Sequence, residues 1–107
     1  MKKLPLLFDH NPLDNFFLLA GPCVVESEKL CMEVAEKVKF LAEKHQIPYV
    51  FKASYRKANR SRNDSFSGIG DLAALKILGK VAKTFDIPVV TDIHAANEAD
   101  MAAEYVD

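Results

Sequence analysis

A chain of 107 residues holds one domain at most. Half of it is hydrophobic and 27% is charged, which is enough for a core and ordinary for a globular protein in water. The formal net charge of -1 excludes a global attraction to nucleic acid or membrane, and no apolar run approaches the ~20 residues that span a bilayer.

Residues 1–15 read as a lead-in of weak pattern. The first ten briefly imitate a signal peptide, but the apolar part is short and is interrupted by Pro5, Asp9 and His10. Phe16-Phe17-Leu18-Leu19 is a continuous apolar run, predicted as a strand buried on both faces. It breaks at Gly21-Pro22. Ser27 is placed to cap a helix with Glu28 in its first turn. Leu30, Cys31, Val34, Ala35, Val38, Leu41 and Ala42 recur at steps of three and four, so they form the buried face of a helix ending near His45. Of the two cysteines, Cys31 lies on that face and Cys23 lies at a strand end. Such different contexts argue against a disulfide framework and for a reducing, cytoplasmic compartment.

The second strand, Tyr49-Val50-Phe51, turns abruptly into a polar loop over roughly 53–70. Lys52, Arg56, Lys57, Arg60 and Arg62 fall within eleven residues, with Ser54, Asn59 and Ser61 among them. Arg offers a planar fork and Lys a compact charge, so the loop is suited to gripping phosphate or carboxylate. Gly68-Ile69-Gly70 leads to a helix predicted to be capped by Asp71 and buried along Ala74, Leu75, Leu78, Val81, Ala82 and Phe85. A third strand, Ile87–Thr91, runs into Asp92-Ile93-His94. Asn97 is predicted to cap a last helix containing Met101, Ala102 and Tyr105.

An internal echo orders these pieces. His45-Gln46-Ile47-Pro48-Tyr49-Val50-Phe51-Lys52 matches Phe85-Asp86-Ile87-Pro88-Val89-Val90-Thr91-Asp92, forty positions on. A strand–loop–helix unit repeated in this way implies parallel strands with helical crossovers. Sites in parallel α/β folds form at the carboxyl ends of the strands. Three groups arrive there: Gly21-Pro22-Cys23, Lys52-Ala53-Ser54 and Asp92-Ile93-His94. Each also has a plainer reading. Cys23 suits a small buried hydrophobe, and one Cys alone makes only a weak metal motif. Asp92 suits a turn cap and His94 a hydrogen-bonded rim position. The basic loop suits a solvated surface or, with Tyr55 and Phe66 near its charges, a nucleic-acid contact. Its confinement to one loop without a recognition motif argues against nucleic acid.

Leu19-Ala20-Gly21-Pro22-Cys23-Val24-Val25-Glu26-Ser27, Phe51-Lys52-Ala53-Ser54, Lys57-Ala58-Asn59-Arg60-Ser61 and Thr91-Asp92-Ile93-His94 resemble the 3-deoxy-D-manno-octulosonate 8-phosphate synthase family. The resemblance runs over 17–107 with the motifs in order. The Gly-Pro-Cys segment is shared with 3-deoxy-D-arabino-heptulosonate 7-phosphate synthases, which usually carry a Lys-Pro-Arg-Thr loop instead. The resemblance implies a (β/α)8 TIM barrel, of which this chain, read as a single incomplete α/β domain, supplies the first three βα units over 16–107. It implies a transferase that joins phosphoenolpyruvate to arabinose 5-phosphate. Carried over by motif, Lys52 and Lys57 hold phosphoenolpyruvate with Ser54 nearby, and Asn59, Arg60 and Ser61 hold the sugar phosphate. Asp92 and His94 line the reacting centre with the two lysines. Cys23 matches the metal ligand of the metal-dependent branch, for a divalent ion such as Zn, Fe or Mn.

Two departures stand out. A (β/α)8 barrel takes about 250 residues, so the chain is expected to be a fragment, inactive alone. Arg62-Asn63-Asp64 replaces the family's usual Ser-Ile-His. The partners expected are small phosphorylated molecules and further copies of the chain, a tetramer in the family, with no nucleic acid and no membrane. The rival readings are the heptulosonate synthase and an anion-binding module without catalysis.

Overall fold

The computed structural model of the chain describes residues 16–57 and 68–107. The lead-in, and Asn59, Arg60, Ser61 and Arg62-Asn63-Asp64 of the basic loop, lie outside the described residues. Strand β1 is Leu18–Ala20, helix α1 Glu28–Lys44, strand β2 Tyr49–Lys52, helix α2 Asp71–Phe85 and strand β3 Val89–Val90. A 3-10 turn over Ala96–Glu98 runs into a short helix α3, Ala99–Ala103. The strands form one parallel sheet in the order β1-β2-β3.

The register sorts the side chains between two faces. Leu18 pairs with Tyr49, Ala20 with Phe51, and Phe51 with Val89. Side chains alternate along a strand, so these residues share one face. That face packs into a single buried cluster with Cys31, Ala35 and Ala42 of α1 and Ala74, Leu75, Leu78 and Val81 of α2. Burial pushes the Cys31 thiol up to about 11, so it is an inert core residue, as its position in the helical stripe predicts. Lys52 pairs with Val90 on the opposite face. The same alternation that buries Phe51 therefore sends Lys52 away from the helix layer.

The forty-residue echo is realised as a repeated helix stop. Gln46 and Asp86 both adopt positive φ, 56° and 54°, one residue before the Ile-Pro pair. Ile47 N–H then donates to Ala42 O at 2.8 Å, and Ile87 N–H to Ala82 O at 3.3 Å. This wrap-back satisfies carbonyls that a helix end leaves orphaned. The proline carbonyls next open the sheet ladder, Pro48 O accepting from Leu18 N at 2.8 Å and Pro88 O from Phe51 N at 3.0 Å. Proline lacks a donor but keeps its acceptor, so it can start a strand on its carbonyl side.

Several local expectations shift. Phe16 and Phe17 precede β1 instead of forming it, and Leu19 is 53% exposed. β1 pairs with β2 alone among the described residues, and the exposure of Leu19 between half-buried Leu18 and Ala20 leaves one of its faces open. Ser27 does cap α1, its Oγ accepting from Leu30 N at 3.1 Å, but Leu41 is exposed beside Phe40 on the outer flank of the helix. The cap of α2 is Gly70, at φ 112°, not Asp71, whose carboxylate is bound by Arg56 instead. Asn97 lies inside the 3-10 turn, and Tyr105 falls beyond the end of α3. The third ladder is shorter than Ile87–Thr91, because only Val89 and Val90 pair with β2.

Candidate anion-binding site

The site begins with a close approach of two backbones. A Cβ built on Gly21 lies 2.0 Å from the Lys52 carbonyl oxygen. Only glycine lets the end of β1 pass the end of β2 at this distance. Beyond Pro22 the two segments pair again. Ser54 N–H donates to Cys23 O at 3.3 Å, and Val25 N–H donates to Ser54 O at 2.9 Å. The Gly-Pro-Cys and Lys-Ala-Ser motifs are thereby held side by side by main chain, with the Cys23 thiol exposed.

Ser54 is fully buried, and it organises the charges. Its Oγ accepts from Lys57 Nζ at 2.7 Å and from Lys52 Nζ at 3.1 Å. Asp92 Oδ1 lies 3.4 Å from Lys52 Nζ. Burial pushes the Asp92 carboxyl up, but the hydrogen bond from Ser54 and the positive charge of Lys52 outweigh it and hold the group below its usual range. The hydroxyl thus accepts from both ammonium groups. Two ammonium groups share one hydroxyl, and the Asp92 carboxylate lies beside that of Lys52, so the rim carries excess positive charge. Their mutual repulsion is relieved by an anion settling between them.

Arg56 does not join this cationic group. Its guanidinium bridges Asp71 at 2.8 Å and Glu98 at 2.5 Å. Glu98 also accepts hydrogen bonds from the buried Tyr55 hydroxyl and from His94 N–H, the latter at 3.1 Å. His94 Nε2–H donates to the Arg56 carbonyl at 2.6 Å, and its ring stands 5.9 Å from that of Tyr55. Thr91 Oγ1 completes the tie between strands, donating to Ala53 O at 2.8 Å and accepting from Tyr55 N at 3.3 Å.

These bonds, that of the Tyr55 phenol first, hold the Glu98 carboxyl down to about 2 from its ordinary 4.5. A depressed carboxylate favours the folded state above its unfolded pKa, and the benefit disappears as pH falls through the folded one. The unfolding midpoint of the full-length protein is therefore expected to drop on acidification between pH 4.5 and about 2. Glu98→Gln should flatten that part of the profile. An unchanged slope in thermal unfolding against pH would contradict the role of this carboxylate.

Of the residues singled out from the sequence, Lys52, Ser54, Lys57 and Asp92 meet in one cluster, and Cys23 abuts it through its backbone. His94 is held on the Arg56 carbonyl. Asn59, Arg60 and Ser61 lie outside the described residues. The described residues contain no group of three His, Cys, Asp or Glu side chains able to hold a metal ion. Glu98 escaped sequence reading, since an isolated glutamate in an alanine-rich stretch carries no motif signal.

Parallel strands that bring two lysines and a carboxylate to one buried hydroxyl at their carboxyl ends define an α/β domain suited to a small anionic ligand. Residues 13–107 match the profile of the DAHP synthetase I family, and the chain belongs to that family. Over 100 residues it is 47% identical to the 2-dehydro-3-deoxyphosphooctonate aldolase of Dichelobacter nodosus, a match covering 94% of this chain and 36% of that protein. The protein of the same name from Laribacter hongkongensis is 46% identical over 94% of this chain and 35% of its own length. That from Methylibium petroleiphilum is 49% identical over 86% and 32%. The chain thus spans about a third of the length of the curated relatives it matches.

Proposed function

We propose that the chain belongs to a transferase that condenses phosphoenolpyruvate with D-arabinose 5-phosphate and water, giving 3-deoxy-D-manno-octulosonate 8-phosphate and phosphate. The observation that carries this reading is the pair of ammonium groups, Lys52 and Lys57, on the buried Ser54 hydroxyl. The relatives' names support an octulosonate over a heptulosonate product. The chain then forms the first three βα units of a TIM barrel, residues 1–107 being one incomplete domain. The enzyme is cytoplasmic and assembles as a homo-oligomer. No helix among the described residues is long and apolar enough to cross a membrane.

In this reading Lys52 and Lys57 hold the charged groups of phosphoenolpyruvate, and Asn59, Arg60 and Ser61 hold the sugar phosphate. Both substrates are anions that repel each other, so fixed cations lower the cost of bringing carbon to carbon. The phosphoenolpyruvate methylene carbon attacks the aldehyde, water adds to the adjoining carbon, and phosphate leaves. Asp92, kept ionised, acts as an acceptor at this centre rather than an acid. His94, with Nε2–H engaged, keeps Nδ1 as its acceptor when neutral. Cys23 contributes one soft donor on the rim, and a single donor is not a metal site, so any further ligands come from outside the described residues. A divalent ion bound there, such as Zn, Fe or Mn, supplies orientation of the aldehyde or acidifies a water.

Phosphate release by the full-length protein tests this. Turnover is expected with phosphoenolpyruvate and arabinose 5-phosphate, with metal content lost in Cys23→Asn. A preference for erythrose 4-phosphate would point to the heptulosonate reaction. Binding of phosphoenolpyruvate without turnover of either sugar would leave the non-catalytic anion module.

A further inference from the structure

Lys57 must be aimed, yet it is the last described residue before 58–67. Its backbone nitrogen belongs to the peptide group whose oxygen is the Arg56 carbonyl. That peptide is planar, so fixing the oxygen fixes the plane from which Lys57 departs. His94 Nε2–H holds this oxygen at 2.6 Å. The Arg56 side chain is held at the same time by Asp71 from α2 and by Glu98 from the 3-10 turn. Glu98 closes the arrangement, since it also binds the Tyr55 hydroxyl and the backbone N–H of His94. One carboxylate therefore touches the residue before Arg56, Arg56 itself, and the residue that clamps the Arg56 carbonyl.

We infer that Glu98 and Arg56 are positioning residues, a staple that sets the peptide before Lys57 and so keeps its ammonium on the Ser54 hydroxyl. The chemistry of the staple suits a permanent fixture. Glu98 stays ionised far below neutral pH, and Arg56 is raised above an already high value by its bond to Glu98, so neither switches in the physiological range. Buried and hydrogen-bonded, the Tyr55 phenol is pushed up to about 12 and remains a donor. Arg56 thus leaves the count of ligand-facing cations and joins the framework that orients one of them. The inference rests on the proposed role of Lys57 in holding phosphoenolpyruvate.

The test is a mutant cycle in the full-length protein, read as KM for phosphoenolpyruvate and as kcat. Glu98→Ala is expected to raise that KM about ten-fold in the otherwise unchanged protein, because a charge-assisted contact by Lys57 is loosened. In a Lys57→Ala background the same substitution should change it less than two-fold, since the group it positions is gone. Glu98→Gln keeps an acceptor for Tyr55 and His94 but loses the charge facing Arg56, and should recover part of the affinity. Equal losses in both backgrounds would overturn the inference, as would a lowered unfolding midpoint with unchanged KM. A crystal structure of full-length Glu98→Ala reads the staple independently of substrate. Lys57 Nζ is expected to leave Ser54 Oγ, and an unmoved Lys57 would overturn the inference even if the enzyme assay succeeds. If the protein turns over neither sugar phosphate, the functional reading fails, while this structural readout still decides the staple.

Discussion

Lys57→Ala in the full-length protein is expected to weaken phosphoenolpyruvate binding by about one to two decades. A charge-assisted hydrogen bond to a bound anion contributes roughly 1.5–3 kcal/mol, and each ~1.4 kcal/mol is tenfold. The loss should fall on phosphoenolpyruvate and spare arabinose 5-phosphate. Lys57 makes the shorter of the two lysine contacts to the buried Ser54, at 2.7 Å against 3.1 Å. Lys52 is the less clean target, because it is also a strand residue paired with Val90 and stands 3.4 Å from Asp92. Removing Lys52 would leave that carboxylate without its charge partner. Arg60→Ala should show the converse pattern and weaken the sugar phosphate. KM and kcat measured for each substrate separately decide the matter. If both variants weaken both substrates equally, the loop acts as a general electrostatic funnel and the division of labour is wrong.

The second large effect is on stability. Gly21→Ala puts a methyl group 2.0 Å from the Lys52 carbonyl oxygen, and the obstacle is backbone, not a flexible side chain. Either β1 or the end of β2 has to move. Overpacking of this kind costs roughly 1–3 kcal/mol and sometimes more. Displacing Lys52 would also disturb the cluster around Ser54, so the unfolding midpoint and the affinity for phosphoenolpyruvate are expected to fall together. Gly79 provides the control. A Cβ there comes no nearer than 3.5 Å to Tyr105 O, and Gly79 lies within α2. Alanine at that position is expected to be tolerated, with up to about 1 kcal/mol gained from helix propensity. Thermal unfolding of the two variants side by side checks the contrast. Equal midpoints would mean that the close approach at Gly21 relaxes without cost.

The amino-acid sequence by itself determined whatever depends on neighbours four or five residues away. The apolar stripe of α2, the serine cap of α1 and the paired Ile-Pro helix stops were all legible, because periodicity, capping and helix termination act within one or two turns. The motifs at the three strand ends were legible for the same reason: strand, break and polar residue follow one another along the chain. Composition and spacing alone did not separate Arg56 from Lys57, and only the motif resemblance singled out Lys57. The two are adjacent and both basic, and along the chain they read as one patch. Parallel pairing of β2 with β3 brings Glu98, forty-two residues away, to the Arg56 guanidinium, and the start of α2 brings Asp71. Lys57 is turned instead to Ser54, whose burial depends on pairing with Cys23 and Val25 beyond the end of β1. Whether a cation binds a ligand or braces a loop depends on which carboxylates lie beside it. That is decided by strand register and helix packing, so only the tertiary structure showed Arg56 bound to two carboxylates and Lys57 to the Ser54 hydroxyl.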